Sequence, residues 1–247
     1  MKYYKKEYIK KITNNIFINK KKPIKPKLKI LIGPPASGKG TLTKKYRILN
    51  KQTIAINYDD IIHNNPKYIE EKKLIKNKDK LQELYYKYRS EIGIIDNILH
   101  EKILDKRYSI LWETTGLNVD FMYNWFYDLK KKGYTIDLHL ICIDIKCLYS
   151  RLKKRQLKIG QEPAPNKKIK EGYNIIYKNI SKIFGYVNNL YIYENNKKPI
   201  KIITIKNYYN VKCLHKISDN IIILLKKILP KDIMKAIYYS NSCKIKE

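Results

Sequence analysis

The chain has 247 residues, enough for one well-cored α/β domain and too few to require two. Its 53 basic and 22 acidic residues give a formal net charge of +31, but lysine dominates over arginine, the charge is spread along the chain, and Lys, Asn, Ile and Tyr are all frequent, as an AT-rich genome would dictate. The charge therefore implies weak attraction of polyanions at low salt rather than a dedicated nucleic-acid partner. No run reaches the roughly 20 apolar residues of a membrane span, and no apolar signal core follows the basic N-terminus. Cys142, Cys147, Cys213 and Cys243 lack paired metal spacing and are too few to staple the chain. The expectation is a cytoplasmic protein without membrane contact.

In chain order, residues 1–26 read as a Lys-rich extension closed by Pro23 and Pro26, with a helix over Tyr3–Ile18. Lys27–Ile32 (KLKILI) reads as a buried strand, and Lys39–Leu49 as a helix. Between them stands Gly33-Pro34-Pro35-Ala36-Ser37-Gly38-Lys39-Gly40-Thr41, which spells a phosphate-binding loop. Gly33 and Gly38 let the backbone curl so that successive N–H groups face phosphate oxygens, and the helix adds its positive end. Lys39 would reach the β- and γ-phosphates. The residue after it is Gly40, so the hydroxyl available to Mg²⁺ moves to Thr41. That Gly-Lys-Gly-Thr ending resembles adenylate-kinase-type nucleotide kinases, which favours a small kinase over a motor or GTPase.

A second strand follows at Thr53–Ile56, then a polar turn over Asn57–Pro66. A long helix is expected at Asp79–Lys106, with Leu81, Leu84, Tyr88, Ile92, Ile95 and Leu99 on one face. Strand three is Tyr108–Trp112, and strand four is Thr135–Ile143 behind a helix stop at Gly133. Helices at Lys146–Leu157 and Lys167–Asn188 flank the Gly-Pro segment Gly160–Pro165. Late strands at Leu190–Tyr193 and Ile200–Ile205 precede a closing helix over Leu214–Leu229. The pattern predicts a P-loop kinase-type α/β domain over 27–229, with a mostly parallel sheet, helices on both faces and a small lid at about 157–167. Residues 230–247 read as a tail.

Ligands of such a sheet sit beyond the carboxyl ends of the strands. The second strand ends in Tyr58-Asp59-Asp60, where Asp59 could accept the proton of an acceptor hydroxyl while Asp60 caps a short helix at Ile61 or contacts substrate. Strand three runs into Glu113-Thr114-Thr115-Gly116. A Glu after so apolar a strand needs a partner, which assigns Glu113 to water-mediated Mg²⁺ or a substrate hydroxyl, with Thr115 beside it. Arg151 and Arg155 share a helical stripe before the Gly-Pro segment, and Arg155 is the candidate for charge neutralisation in the transferring phosphoryl group. His63, His100, His139 and His215 lack metal-ligand spacing and read as structural or surface residues. The residues leave open a polynucleotide 5′-hydroxyl kinase, a nucleotide-dependent regulator without transfer, and a nucleic-acid-binding protein.

Together these landmarks resemble the zeta-toxin family of P-loop kinases along roughly residues 27–205: the phosphate loop, Ile56-Asn57-Tyr58-Asp59 followed by Asn65-Pro66-Lys67-Tyr68, Glu113-Thr114-Thr115-Gly116, Gly133-Tyr134 before a strand, a basic helix with a Pro-bearing lid, and Tyr191-Ile192-Tyr193-Glu194-Asn195. The resemblance implies ATP as donor with Mg²⁺, a sugar hydroxyl of a UDP-N-acetyl amino sugar as acceptor, and, in some members, an antidote protein as partner. It implies Asp59 as general base, Lys39 on the ATP phosphates, Glu113 and Thr115 at the substrate and Arg155 in the lid. Ile62, Leu117 and Gln161 stand where the family has basic residues, a departure concentrated in the acceptor half.

Overall fold

A computed structural model describes residues 3–49, 52–56, 58–158, 165–207 and 210–242. The strands are β1 (Lys27–Ile32), β2 (Ile54–Ile56), β3 (Ile110–Thr114), β4 (Thr135–Cys142), β5 (Asn189–Glu194), β6 (Ile200–Lys206) and β7 (Asn210–Cys213). The helices are α1 (Lys6–Phe17), α2 (Lys39–Leu49), α3 (Tyr58–His63), α4 (Pro66–Lys73), α5 (Lys78–Ser90), α6 (Ile92–Lys106), α7 (Val119–Lys131), α8 (Ile145–Lys158), α9 (Asn166–Ile183), α10 (Asp219–Lys226) and α11 (Lys231–Ser242). One seven-stranded sheet runs in the order β2-β3-β1-β4-β5-β6-β7. Strands β1 to β5 are mutually parallel, and the β5–β6 and β6–β7 pairs are antiparallel.

Side chains alternate between the faces of a strand. Ile30, Trp112, Leu138 and Ile192 join one large core with apolar residues of α1, α3 to α7 and α9 to α11. The opposite face carries only a small cluster of Leu31, Leu111, Ile141 and Tyr193 beneath Leu42 of α2. Each fully buried Ile or Leu in the large core contributes about 1.5–3 kcal/mol of transfer free energy, so this core and not the second face fixes the sheet.

Five expectations are corrected. The polar stretch after β2 is helical: α3 starts at Tyr58, and Pro66 begins α4 instead of closing a turn, with Asn65 as its cap accepting from Lys67 N at 3.0 Å. The long helix breaks at Glu91, whose carboxylate accepts the Tyr3 N–H at 2.9 Å. The closing helix starts at Asp219, because Asn210–Cys213 forms β7 against β6 and Leu214 N still donates to Ile202 O. Beyond it, α11 buries Ile233, Met234 and Ile237 in the same core. Likewise α1 buries Ile9 and Ile12, and Tyr8 Oη donates to Ile61 O at 2.7 Å.

Candidate active site

β1 lies between β3 and β4, so the loop that follows it emerges at the centre of the sheet's carboxyl edge. Ala36 (φ 62°) and Gly38 (φ 93°) both have left-handed backbone. For Ala36 that conformation costs roughly 1–2 kcal/mol, and such strain clusters where backbone N–H groups are turned inward to meet a ligand. Of the loop's three glycines, Gly40 has open space around it, but Gly33 and Gly38 have no room for a Cβ. At Gly33 it would lie 2.8 Å from Ser37 Oγ and 3.0 Å from Ile141 O, and at Gly38 it would fall onto Asn195 Nδ2.

Asn195, at the end of β5, braces the loop from outside: its Nδ2 donates to Ser37 O at 2.5 Å and its N–H to Cys142 O at 2.9 Å. Arg151 of α8 holds the same corner through Asn196 O at 3.1 Å, so it is a scaffold residue. Lys39 is buried, and its ammonium donates to Gly33 O at 2.8 Å and Pro34 O at 3.0 Å. Burial lowers its pKa to about 8, with Glu113 opposing the shift and Arg155 adding to it.

From this loop opens a cleft of about 830 Å³. Asp59 reaches it from the first turn of α3, and Tyr85 of α5 donates its phenol to Asp59 Oδ1 at 2.6 Å. Glu113 and Thr115 reach it from the end of β3, and Arg155 from the exposed last turns of α8. The partner that Glu113 requires is Thr43, one turn into α2, whose hydroxyl donates to Oε2 at 2.8 Å. Gly40 and Thr41 are exposed on the loop side of the cleft. Among the described residues no three His, Cys, Asp or Glu converge as a metal cage. Beside the loop the set instead offers the Glu113 carboxylate, oriented by Thr43, and the Thr41 hydroxyl. That fits Mg²⁺, which keeps several waters and shares phosphate oxygens.

The sequence model of the family described as Zeta toxin matches residues 10–207. The chain belongs to the zeta toxin family. A structure from the PezAT chromosomal toxin–antitoxin system of Streptococcus pneumoniae is similar over 98% of this chain and 96% of that one, at 18% identity and a TM-score of 0.64. AvrRxo1-ORF1:-ORF2 with ATP is similar over 91% of this chain and 72% of that one, at 12% identity and a TM-score of 0.62. At such identities the likeness shows the fold. None of the curated proteins matches the sequence. Family and loop together support a P-loop, ATP-dependent phosphotransferase.

On this zeta toxin fold, Asp60 does not join Asp59. It sits inside the first turn of α3 rather than at its cap, turns away from the cleft and pairs with Arg47 at 3.7 Å, both half-exposed. Ile62 is wholly buried in the core, and Leu117 is exposed. Gln161 and most of the expected lid lie outside the described residues.

The acceptor side holds groups that sequence reasoning did not single out: Arg89, whose guanidinium lies 4.9 Å from the Tyr58 ring centroid, and Asp96, which accepts from Tyr58 Oη. Burial raises Asp96 to about 7 and lowers His100, 3.4 Å away, to about 4. Burial thus disfavours the charged form of both side chains.

Proposed function

We propose that this zeta toxin family member moves the γ-phosphoryl group of ATP to a hydroxyl of a nucleotide or nucleotide-sugar acceptor. The observation that carries the reading is a single cleft lined by both the buried Lys39 of the phosphate loop and Asp59 of α3. Loop N–H groups, including those of Ala36 and Gly38, hold phosphate oxygens, while the Ser37 N–H closes a turn onto Pro34 O. Pro34 has no N–H, and its carbonyl positions the Lys39 ammonium. That ammonium transfers from the two loop carbonyls to the β- and γ-phosphates.

Asp59, kept in one orientation by Tyr85, takes the proton of the attacking hydroxyl. Arg155 meets the charge on the transferring group. Thr41 and Glu113 would hold Mg²⁺, which neutralises phosphate charge. Glu113 and Thr115 border the acceptor, and Arg89 supplies a cation on that side, where Ile62 and Leu117 supply none. The toxin–antitoxin neighbour supports an antidote protein as partner.

The test is transfer of γ-labelled phosphate from Mg-ATP to UDP-amino sugars, nucleoside monophosphates and 5′-hydroxyl oligonucleotides. The reading expects label in one of the first two classes, dependent on Lys39. Label confined to oligonucleotides would replace it with a polynucleotide kinase, and ATP binding without transfer to any class would replace it with a nucleotide-dependent regulator.

A further inference from the structure

Central strands of a parallel sheet are ordinarily apolar on both faces. Here β1, β4 and β5 keep that rule on the second face only near their carboxyl ends. Nearer their starts the same face carries Lys29, Asp137, His139 and Tyr191, adjacent in register across the three strands. A hollow of about 460 Å³ opens there, completed by Tyr46 of α2 and Lys201 of β6, and it shares no lining residue with the catalytic cleft.

His139 lies at the hollow and is only 3% exposed. Its Nδ1 is 3.1 Å from Tyr46 Oη and 3.2 Å from Tyr193 Oη, and the two phenols are 2.7 Å apart. The arrangement that uses both phenol protons sends one to the other phenol and the second to Nδ1, which leaves the histidine proton on Nε2. That Nε2 is buried and has no partner among the described residues. Burial, then Lys29 and Lys201, lowers the ring's pKa to about 3, so it is a neutral donor.

The Lys29 ammonium stands 5.0 Å from the Tyr46 ring centroid and that of Lys201 5.2 Å from Tyr191, on which His139 stacks. The carboxylate of the hollow, Asp137, is buried and accepts from Asn189 Nδ2 at 2.6 Å. Among the described residues lining the hollow, the ammonium groups of Lys29 and Lys201, a third at the exposed Lys27 and the unpartnered Nε2 outnumber its one carboxylate, Asp137. A buried donor left without an acceptor is costly.

We propose that this hollow is a second ligand site for a small phosphorylated anion, whose phosphoryl oxygens lie between Lys29 and Lys201 and accept from His139 Nε2. Its volume is within the range of small-molecule sites and admits either phosphate alone or a nucleoside monophosphate.

The test follows histidine ¹⁵N resonances at low salt while the protein is titrated with inorganic phosphate and, separately, with AMP; His139→Gln identifies the signal. The Nε2 resonance of His139 shifts saturably, and Lys29→Ala and Lys201→Ala each weaken the response about tenfold, the worth of one charge-assisted contact. Lys39→Ala leaves it unchanged, which separates this site from the cleft. Tighter binding of AMP identifies a nucleotide as the ligand, and equal binding identifies the bare anion. A resonance that does not move, or that still moves alike in both lysine variants, overturns the proposal.

Discussion

Asp59 and Asp60 are neighbours in one turn of helix, yet only Asp59 enters the cleft, and it does so bonded to Tyr85. The Tyr85 phenol is held above its usual pKa by burial first and by Asp59 second, so it remains a donor throughout the working range. Tyr85→Phe should lower kcat about 10- to 100-fold while leaving KM for ATP unchanged, the scale of one hydrogen bond to a charged group; steady-state kinetics read the split. Lys39 gives a pH-dependent signature. Its folded pKa of about 8 lies below the ordinary lysine value, so above pH 8 the free protein has lost a proton that bound triphosphate restores. ATP binding at pH 9 should therefore take up a proton, and at pH 6.5 this group should take up none. Calorimetry in buffers of different ionisation enthalpy measures the uptake, and Lys39→Ala abolishes it.

The phosphate loop is a joint between β1, α2 and the end of β5. Gly38 adopts φ 93° with the Asn195 amide where its Cβ would be. Gly38→Ala should destabilise the fold by about 1–3 kcal/mol and weaken ATP binding at least tenfold, checked by thermal unfolding and by titration. How much of this was legible varies with how local the signal is. β1, the loop and α2 were readable to the residue because a strand, a glycine turn and a helix start are written in adjacent positions. The break at Glu91 was not, because the apolar positions from Leu81 to Leu99 continue at helical spacing across it. Pro66 read as a terminator but opens α4, since a proline fits the first helical turn as well as a helix end. Asn195 appeared in the sequence only within a family element; its bond to Ser37 spans 158 residues and has no local trace. For Glu113 the sequence points to Mg²⁺ or a substrate hydroxyl; the bond from Thr43 becomes visible only once α2 packs over β3. His139 reads as structural, and its place beside Lys29 and Tyr191 becomes visible only with the register of the sheet.

At the scale of the whole molecule, the charge of +31 acts on stability more than on fold. Like-charge repulsion opposes the compact state and is screened beyond a Debye length of roughly 8 Å at physiological ionic strength. The Tm should therefore rise between 10 and 200 mM NaCl, and nucleic-acid binding should fall steeply over the same range, both readable by titration. Among the described residues no helix is long and apolar enough to cross a membrane. The account of the cleft at the sheet's carboxyl edge rests on which of two adjacent carboxylates faces it. The decisive measurement is single-turnover phosphoryl transfer to the identified acceptor by the wild type, Asp59→Asn and Asp60→Asn, with ATP affinity measured alongside. The structure predicts a loss of about 10²-fold or more for Asp59→Asn at unchanged ATP affinity, with Asp60→Asn near wild type. Transfer that survives in Asp59→Asn, or that is lost in Asp60→Asn instead, would contradict it.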